Sequence, residues 1–177
     1  MSIPQRLIAL IGLLCVSGCG FHLRAPTSLS PALQKPYVVS PSPNSSLTRS
    51  LLKNFRLAGA TPVETPRAAS AVFTILGEQQ SQTLLSVSST QSSRQYRLLL
   101  SITFQITRPD GSILVGPQTL SESQVLTMNS DQILSSSNET QVLYQQIRIA
   151  LVRNIMNRLT SEEISAILTE SKHRVKK

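Results

Sequence analysis

The chain has no tryptophan, three tyrosines, four phenylalanines and two histidines in 177 residues. Its two cysteines, Cys15 and Cys19, both stand near the amino terminus, and nine Asp and Glu face 17 Lys and Arg. Each shortage excludes something. No thiol follows Cys19, so a disulfide framework has nothing to build on. His22 and His173 lie near the two ends, no Cys/His spacing suits zinc, and no glycine-rich loop follows a strand. Serines are plentiful, but none sits in a Gly-x-Ser-x-Gly setting with a partner base. Glu162 and Glu163 are helix neighbours that do not face each other. Glu64, Glu78, Asp110, Glu122, Asp131 and Glu139 are scattered. The residues therefore point away from an enzyme and imply no metal. Nucleic acid is disfavoured as well, because no basic stripe is interleaved with aromatics. The longest apolar run, from Leu7 to Ser17, is about 11 residues, short of the roughly 20 needed to span a bilayer as a helix.

That run is informative in itself. Arg6 precedes it, and Leu13-Leu14-Cys15-Val16-Ser17-Gly18 leads directly into Cys19. A basic start, an apolar core and small residues before a cysteine form a lipoprotein signal peptide over residues 1–18. Cleavage before Cys19 leaves 159 residues whose first side chain takes an S-diacylglycerol and whose new amine takes an N-acyl group. Each buried methylene contributes about 0.8 kcal/mol, so two or three chains hold essentially permanently. Gly20 is not Asp, the usual inner-membrane retention residue, so the expected location is the outer membrane, periplasmic face. Apart from that covalent lipid on Cys19, no cofactor is expected. Losing Arg6 takes the seventeen Lys and Arg to sixteen against nine acids, a net +7. A basic periplasmic body suits anionic lipid, lipopolysaccharide phosphates or an acidic protein.

Residues 19–36, with Pro26, Pro31 and Pro36, have the composition of a lipidated tether, at most about 60 Å long. Tyr37-Val38-Val39-Ser40 is a short strand candidate. Asn44, Ser45 and Ser46 offer caps for a helix to about Ala58, with Leu47, Leu51, Phe55 and Ala58 on one face and Gly59 as the stop. A second strand opens at Ala71 and continues past Gly77, which suggests a bulge or a close contact, toward Val87. Ser86 to Ser93 is polar low complexity suited to an exposed, mobile hairpin tip. Tyr96, Leu98, Leu100, Ile102, Phe104 and Ile106 alternate with polar residues along the third strand. Arg108-Pro109-Asp110-Gly111 turns the chain into a fourth, Ile113 to Thr127, where Pro117 demands an edge or a bulge. After a loop over 128–137, Asn138 with Gln141 caps a helix to Leu159 bearing Leu143, Ile147, Leu151, Ile155 and Leu159. Thr160 with Glu163 starts a shorter helix to about Glu170.

The fold class is therefore α+β. It is a two-layer sandwich, a four-stranded mixed sheet with two main helices packed on one face, plus a short C-terminal helix. The expected boundaries are 37–160 for the domain and 161–177 for the last helix and basic tail. Two sets of basic residues are binding candidates. Arg49, Lys53 and Arg56 share a helix face that suits either phosphate or plain solvent. Arg94 and Arg97 flank Tyr96 at the mouth of the hairpin, where arginine would bind phosphate bidentately.

Cys19-Gly20-Phe21-His22-Leu23-Arg24 resembles the start of mature LPS-assembly lipoproteins, the LptE family. Asn54-Phe55-Arg56-Leu57-Ala58-Gly59 is similar to that family's first helix and its Arg-Leu-x-Gly ending. Tyr96-Arg97-Leu98 through Pro109-Asp110-Gly111 resembles its central hairpin, and Asn138-Glu139 through Arg158-Leu159 its last conserved helix. The resemblance implies a non-enzymatic lipoprotein that plugs and helps assemble the LptD outer-membrane β-barrel and binds lipopolysaccharide bound for the outer leaflet. It also implies basic residues at the hairpin tip and just before the last helix. Ser89 and Ser136 stand there instead, leaving Arg94 and Arg97 as nearby substitutes. The rival expectations are a lipid-anchored scaffold or chaperone for another envelope complex, and a serine hydrolase.

Overall fold

The structure, a computed structural model, describes residues 29–90, 92–129 and 136–174. The signal peptide, Cys19, His22 and Asp131 lie outside the described residues. Four strands form one sheet in chain order: β1 (Pro36–Val39), β2 (Ala71–Val87), β3 (Ser93–Thr107) and β4 (Ile113–Asn129). β1 runs parallel to β2, with Tyr37 beside Val72, and the other two pairs are antiparallel. Helix α1 (Ser46–Leu57) lies in the β1–β2 crossover, α2 (Ser136–Leu159) follows β4, and α3 (Glu162–Arg174) ends the chain. This is the mixed α+β sandwich that the strand and helix order predicts.

Alternation along β3 builds the core. Leu98, Leu100, Ile102, Phe104 and Ile106 are all buried, while Ser101, Thr103 and Gln105 stay partly exposed on the other face. Helices cover the first face. Phe55 of α1 meets Phe73 edge-on at 5.8 Å between ring centroids, and Phe73 stacks on Phe104 at 4.9 Å. Leu47 and Leu51 of α1 and Ile147, Leu151, Ile155 and Leu159 of α2 complete the same cluster. Burying each such side chain contributes about 1.5–3 kcal/mol. Leu143 is only partly buried and Tyr144 takes its place, because a strict four-residue row drifts around a 3.6-residue helix.

Local chemistry sets the ends. Ser45 is the cap of α1, its hydroxyl accepting from Thr48 N at 3.1 Å. Gly59 stops that helix at φ +84°, and Gly111 makes the β3–β4 turn at φ +89°, both in the left-handed region that suits glycine. Ser112 N donates to Asp110 Oδ1 at 2.8 Å, and bonding to Ser112 holds the Asp110 carboxyl below the usual range. Leu76 is an extra residue between the Ile75 and Gly77 pairings, the predicted bulge. Leu85 is likewise an extra residue between the Leu84 and Ser86 pairings, and Gly116 and Pro117 sit in a further register irregularity, on an edge strand.

Several boundaries differ from the sequence expectation. Within the stretch assigned to the tether, Leu29 and Leu33 are buried in the core. Pro31–Leu33 form a 3₁₀ turn, and Ser70 Oγ donates to Ala32 O at 2.7 Å. β3 begins at Ser93, three residues before Tyr96, because both faces of the hairpin are open there and polar strand residues carry no penalty. β4 continues to Asn129, and α2 starts at Ser136, so Asn138 lies inside its first turn rather than at its cap. Thr160 does not cap α3, because its hydroxyl turns back to the Met156 and Asn157 carbonyls at 3.1 Å each. Ser161 takes that place, with Ile164 N 3.5 Å from its hydroxyl, and the helix runs to Arg174.

Candidate functional site

Seventeen residues of β2 extend about 55 Å, farther than the helices cover. Leu98 and Leu126 are the last fully buried residues toward the hairpin tip; β3 and its β2 partner run five residues, roughly 15 Å, past Leu98, and β4 three past Leu126. The tip is held by its own hydroxyls. Ser88 N donates to Ser93 O at 2.9 Å, Ser93 N donates to Ser88 Oγ at 3.1 Å, and Thr90 and Ser92 hydroxyls lie 2.7 Å apart. Ser89, where the resemblance implies a basic residue, is exposed in this turn.

Register sorts the side chains of this projecting segment onto two faces. Arg94 pairs with Val87 and Met128, and Tyr96 pairs with Leu84 and Leu126. These six lie on the side that, further along, carries the core. Leu126 is buried and Met128 packs partly against the core, whereas Leu84 is 50% exposed and Val87 45%, so toward the tip this face is an open shelf of Leu84 and Val87 beside the exposed Arg94 guanidinium. Arg97 pairs with Thr83 and Val125 on the opposite face, beside hydroxyl and amide residues. Thr103 and Thr119 hydroxyls meet on that face at 2.8 Å. The sequence put Arg94 and Arg97 together around Tyr96, but the sheet separates them, since residues three apart on a strand point opposite ways.

The other candidates stay together. Arg49, Lys53 and Arg56 are all exposed on one face of α1, and Arg49 Nη1 donates to Asn44 O at 2.5 Å. Phe55, next to Arg56, packs on Phe73, which is about 45 Å along β2 from Val87. The five cations therefore form two sites rather than one. None of them has a carboxylate within ion-pair distance among the described residues.

Sequence reasoning missed a set of polar contacts along α2. Tyr144 Oη donates to Ser81 O at 2.9 Å, and Arg158 Nε to Gln118 Oε1 at 3.0 Å. The Asn154 amide donates to the Glu122 carboxylate. Arg158 Nη1 also meets Glu163 at 2.7 Å, and that contact holds the Glu163 carboxyl below its usual range. Arg148, one turn from buried Tyr144 and Val152, has its Nε shielded and without a partner among the described residues. Nothing in the one-dimensional pattern pairs these residues, which lie 32 to 63 positions apart in the case of the strand contacts. Among the described residues, no group of three His, Cys, Asp or Glu could hold a metal. No helix there is long and apolar enough to cross a membrane.

A family model described as "Lipopolysaccharide-assembly" (LptE) matches residues 33–159. The "LPS-assembly lipoprotein LptE" of Yersinia enterocolitica is 30% identical over 156 residues, covering 86% of this chain and 74% of the relative. Its namesake from Photorhabdus laumondii is 28% identical over 155 residues, covering 86% and 84%. Among solved structures, lipoprotein B from Nitrosomonas europaea has a TM-score of 0.67 at 19% identity, over 80% of this chain and 90% of its own. The rare lipoprotein B of Shewanella oneidensis gives 0.64 at 20% identity, over 75% and 98%. At those identities the structures speak for the fold alone.

Proposed function

Because the chain belongs to the LptE family of lipopolysaccharide-assembly lipoproteins, we propose that it is a subunit of the lipopolysaccharide translocon. In this reading it plugs and helps assemble the LptD β-barrel and assists lipopolysaccharide toward the outer leaflet. It acts by contact, without catalysis, from the periplasmic face of the outer membrane. The S-diacylglycerol and N-acyl groups on Cys19 anchor it there. Arg94 is the first candidate for lipid A phosphate, Arg97 the second, and the Arg49, Lys53 and Arg56 face a separate basic surface.

One observation carries the reading beyond family membership. The β2–β3–β4 meander projects past its helices with hydroxyls and amides on one face and an arginine among apolar side chains on the other. Hydroxyls and amides on that face can lie against the polar interior of a large β-barrel, where the exposed Arg97 guanidinium would keep its charge by hydrogen-bonding to the polar wall. The shelf, in turn, offers phosphate a cation and acyl chains an apolar surface.

The test is a mild-detergent pull-down of carboxy-terminally tagged protein from its own outer membrane, with stoichiometry. One large β-barrel recovered in equal amount supports the translocon subunit. Recovery of intact lipidated protein with no barrel overturns it and favours the tethered scaffold.

A further inference from the structure

We propose that α3 is a clasp that seats the root of the membrane tether, and that the seat opens at a hinge between Leu33 and Gln34 without unfolding the sheet. The inference goes beyond the translocon reading, and only its consequence for the tether's reach rests on lipid at Cys19. The family model's match ends at Leu159, so α3 lies outside it. This helix packs on β4 and on the 3₁₀ turn Pro31–Leu33. Its Ile164 and Leu168 are buried in the same cluster as Leu29 and Leu33. Arg158, at the end of α2, aims the helix. It donates back to Gln118 on β4 and forward to Glu163 in the first turn of α3.

The two halves of the root are held by different means. From Gln34 onward the backbone is bonded to the connection that leads into β2. Thr61 N donates to Gln34 O at 2.7 Å, Val63 N to Pro36 O at 3.0 Å, and Ser70 N to Lys35 O at 2.8 Å. Leu29 to Leu33 rely instead on apolar burial and on Ser70 Oγ, which donates to Ala32 O. Their seat also holds a group that opposes closure. The Ser30 hydroxyl is buried without a hydrogen-bond partner among the described residues, and water would satisfy it once the seat opened. Leu29 stands ten residues after Cys19, at most about 35 Å of extended chain. Opening to Gln34 frees five more residues and raises that limit to about 50 Å. The root leaves the sheet at the end opposite the hairpin tip, since Pro36 pairs with Ala71 and the tip follows Val87. The clasp therefore sets how far the hairpin can advance from the anchoring leaflet.

The test is residue-resolved hydrogen exchange on the purified full mature chain in detergent. The reporter is Leu33 N–H, which donates to Ser30 O at 2.7 Å. Leu168→Ala should speed exchange at Leu33 at least ~10-fold, while Thr61, Val63 and the β3 amides from Leu98 to Ile106 keep their native rates. The same β3 amides show that the variant is folded. Ser30→Ala removes the unpartnered hydroxyl and keeps the backbone bond, so exchange at Leu33 should slow about 5-fold or more. An unchanged Leu33 in Leu168→Ala, an acceleration shared equally by Thr61 or the β3 amides, or no slowing in Ser30→Ala would each overturn the clasp. The mass of the amino-terminal peptide checks the anchor separately. A bare Cys19 thiol would overturn the consequence for reach, while the exchange result still decides the clasp.

Discussion

Arg94→Ala is the sharpest test of the shelf. Its guanidinium is exposed, has no carboxylate partner among the described residues, and stands in a row with Val87 and Met128. Removing it should change stability by no more than about 0.5 kcal/mol, as surface substitutions do. A charge-assisted hydrogen bond to phosphate contributes about 1.5–3 kcal/mol, so lipopolysaccharide affinity should fall about 10- to 150-fold. Arg97 lies on the opposite face among Thr83 and Val125, with no comparable shelf for acyl chains. Arg97→Ala should therefore weaken binding less. The two side chains lie on opposite faces and share no protein partner, so the double variant should equal the sum of the two single effects. Affinity would be measured on purified protein against lipopolysaccharide at several salt concentrations, with thermal unfolding by circular dichroism alongside. A loss from Arg97→Ala equal to or larger than that from Arg94→Ala would refute the assignment of faces. A fall in unfolding temperature matching the binding loss would show that Arg94 serves the fold instead.

Three further outcomes follow from the packing. Phe73→Ala removes the ring between Phe55 and Phe104 and should cost about 3–5 kcal/mol in urea unfolding; a loss below about 1 kcal/mol would mean that the stack contributes little. Gly59→Ala, at φ +84°, should cost about 1 kcal/mol by the same assay, and an unchanged midpoint would contradict the left-handed helix stop. Because Arg158 lowers the carboxyl pKa of Glu163, the ion pair supports α3 above the ordinary glutamate value of about 4.3. That support is lost as pH falls through the lower folded value. Hydrogen exchange in α3 should accelerate over that acid range in the native chain, and Glu163→Gln should flatten the dependence.

The core was legible because its periodicities are local. Five β3 residues from Leu98 to Ile106 and four α2 residues from Ile147 to Leu159 announce their buried faces by spacing alone. Glycine at the α1 stop and at the β3–β4 turn was equally plain, since backbone geometry leaves few other choices there. The folding of Leu29 and Leu33 was not legible. Their burial depends on Ser70, 38 positions from its Ala32 partner, and on α3 packing against the 3₁₀ turn. Proline-rich composition describes the unfolded tendency of that stretch, not the surface that waits to receive it. The separation of Arg94 from Arg97 was available from strand parity, but only once the strand was known to begin before Tyr96.

The hairpin shows how one pattern builds both the core and the exposed faces beyond it. Along β3 the same alternation runs from Ile106 to Arg94 without a break in its pairing to β4 beyond Phe104. Where helices cover the strand, it sorts leucine, isoleucine and phenylalanine from serine, threonine and glutamine, and the result is a core. Where the helices end, the inner series continues as Tyr96 and Arg94 beside Leu84 and Val87. The outer series continues as Arg97 and Gln95 beside Thr83 and Ser86. Apolar side chains that stay exposed after folding gain their burial only from a second surface, so the inner shelf retains a driving force for binding. Hydroxyls and amides on the outer face satisfy one another, as Thr103 and Thr119 do, and can meet a polar wall at little desolvation cost. An open apolar shelf and a polar face thus arise on one meander: β3 and β4 keep the period that builds the core, and the extra residue Leu85 in β2 holds Leu84 and Val87 on the same side.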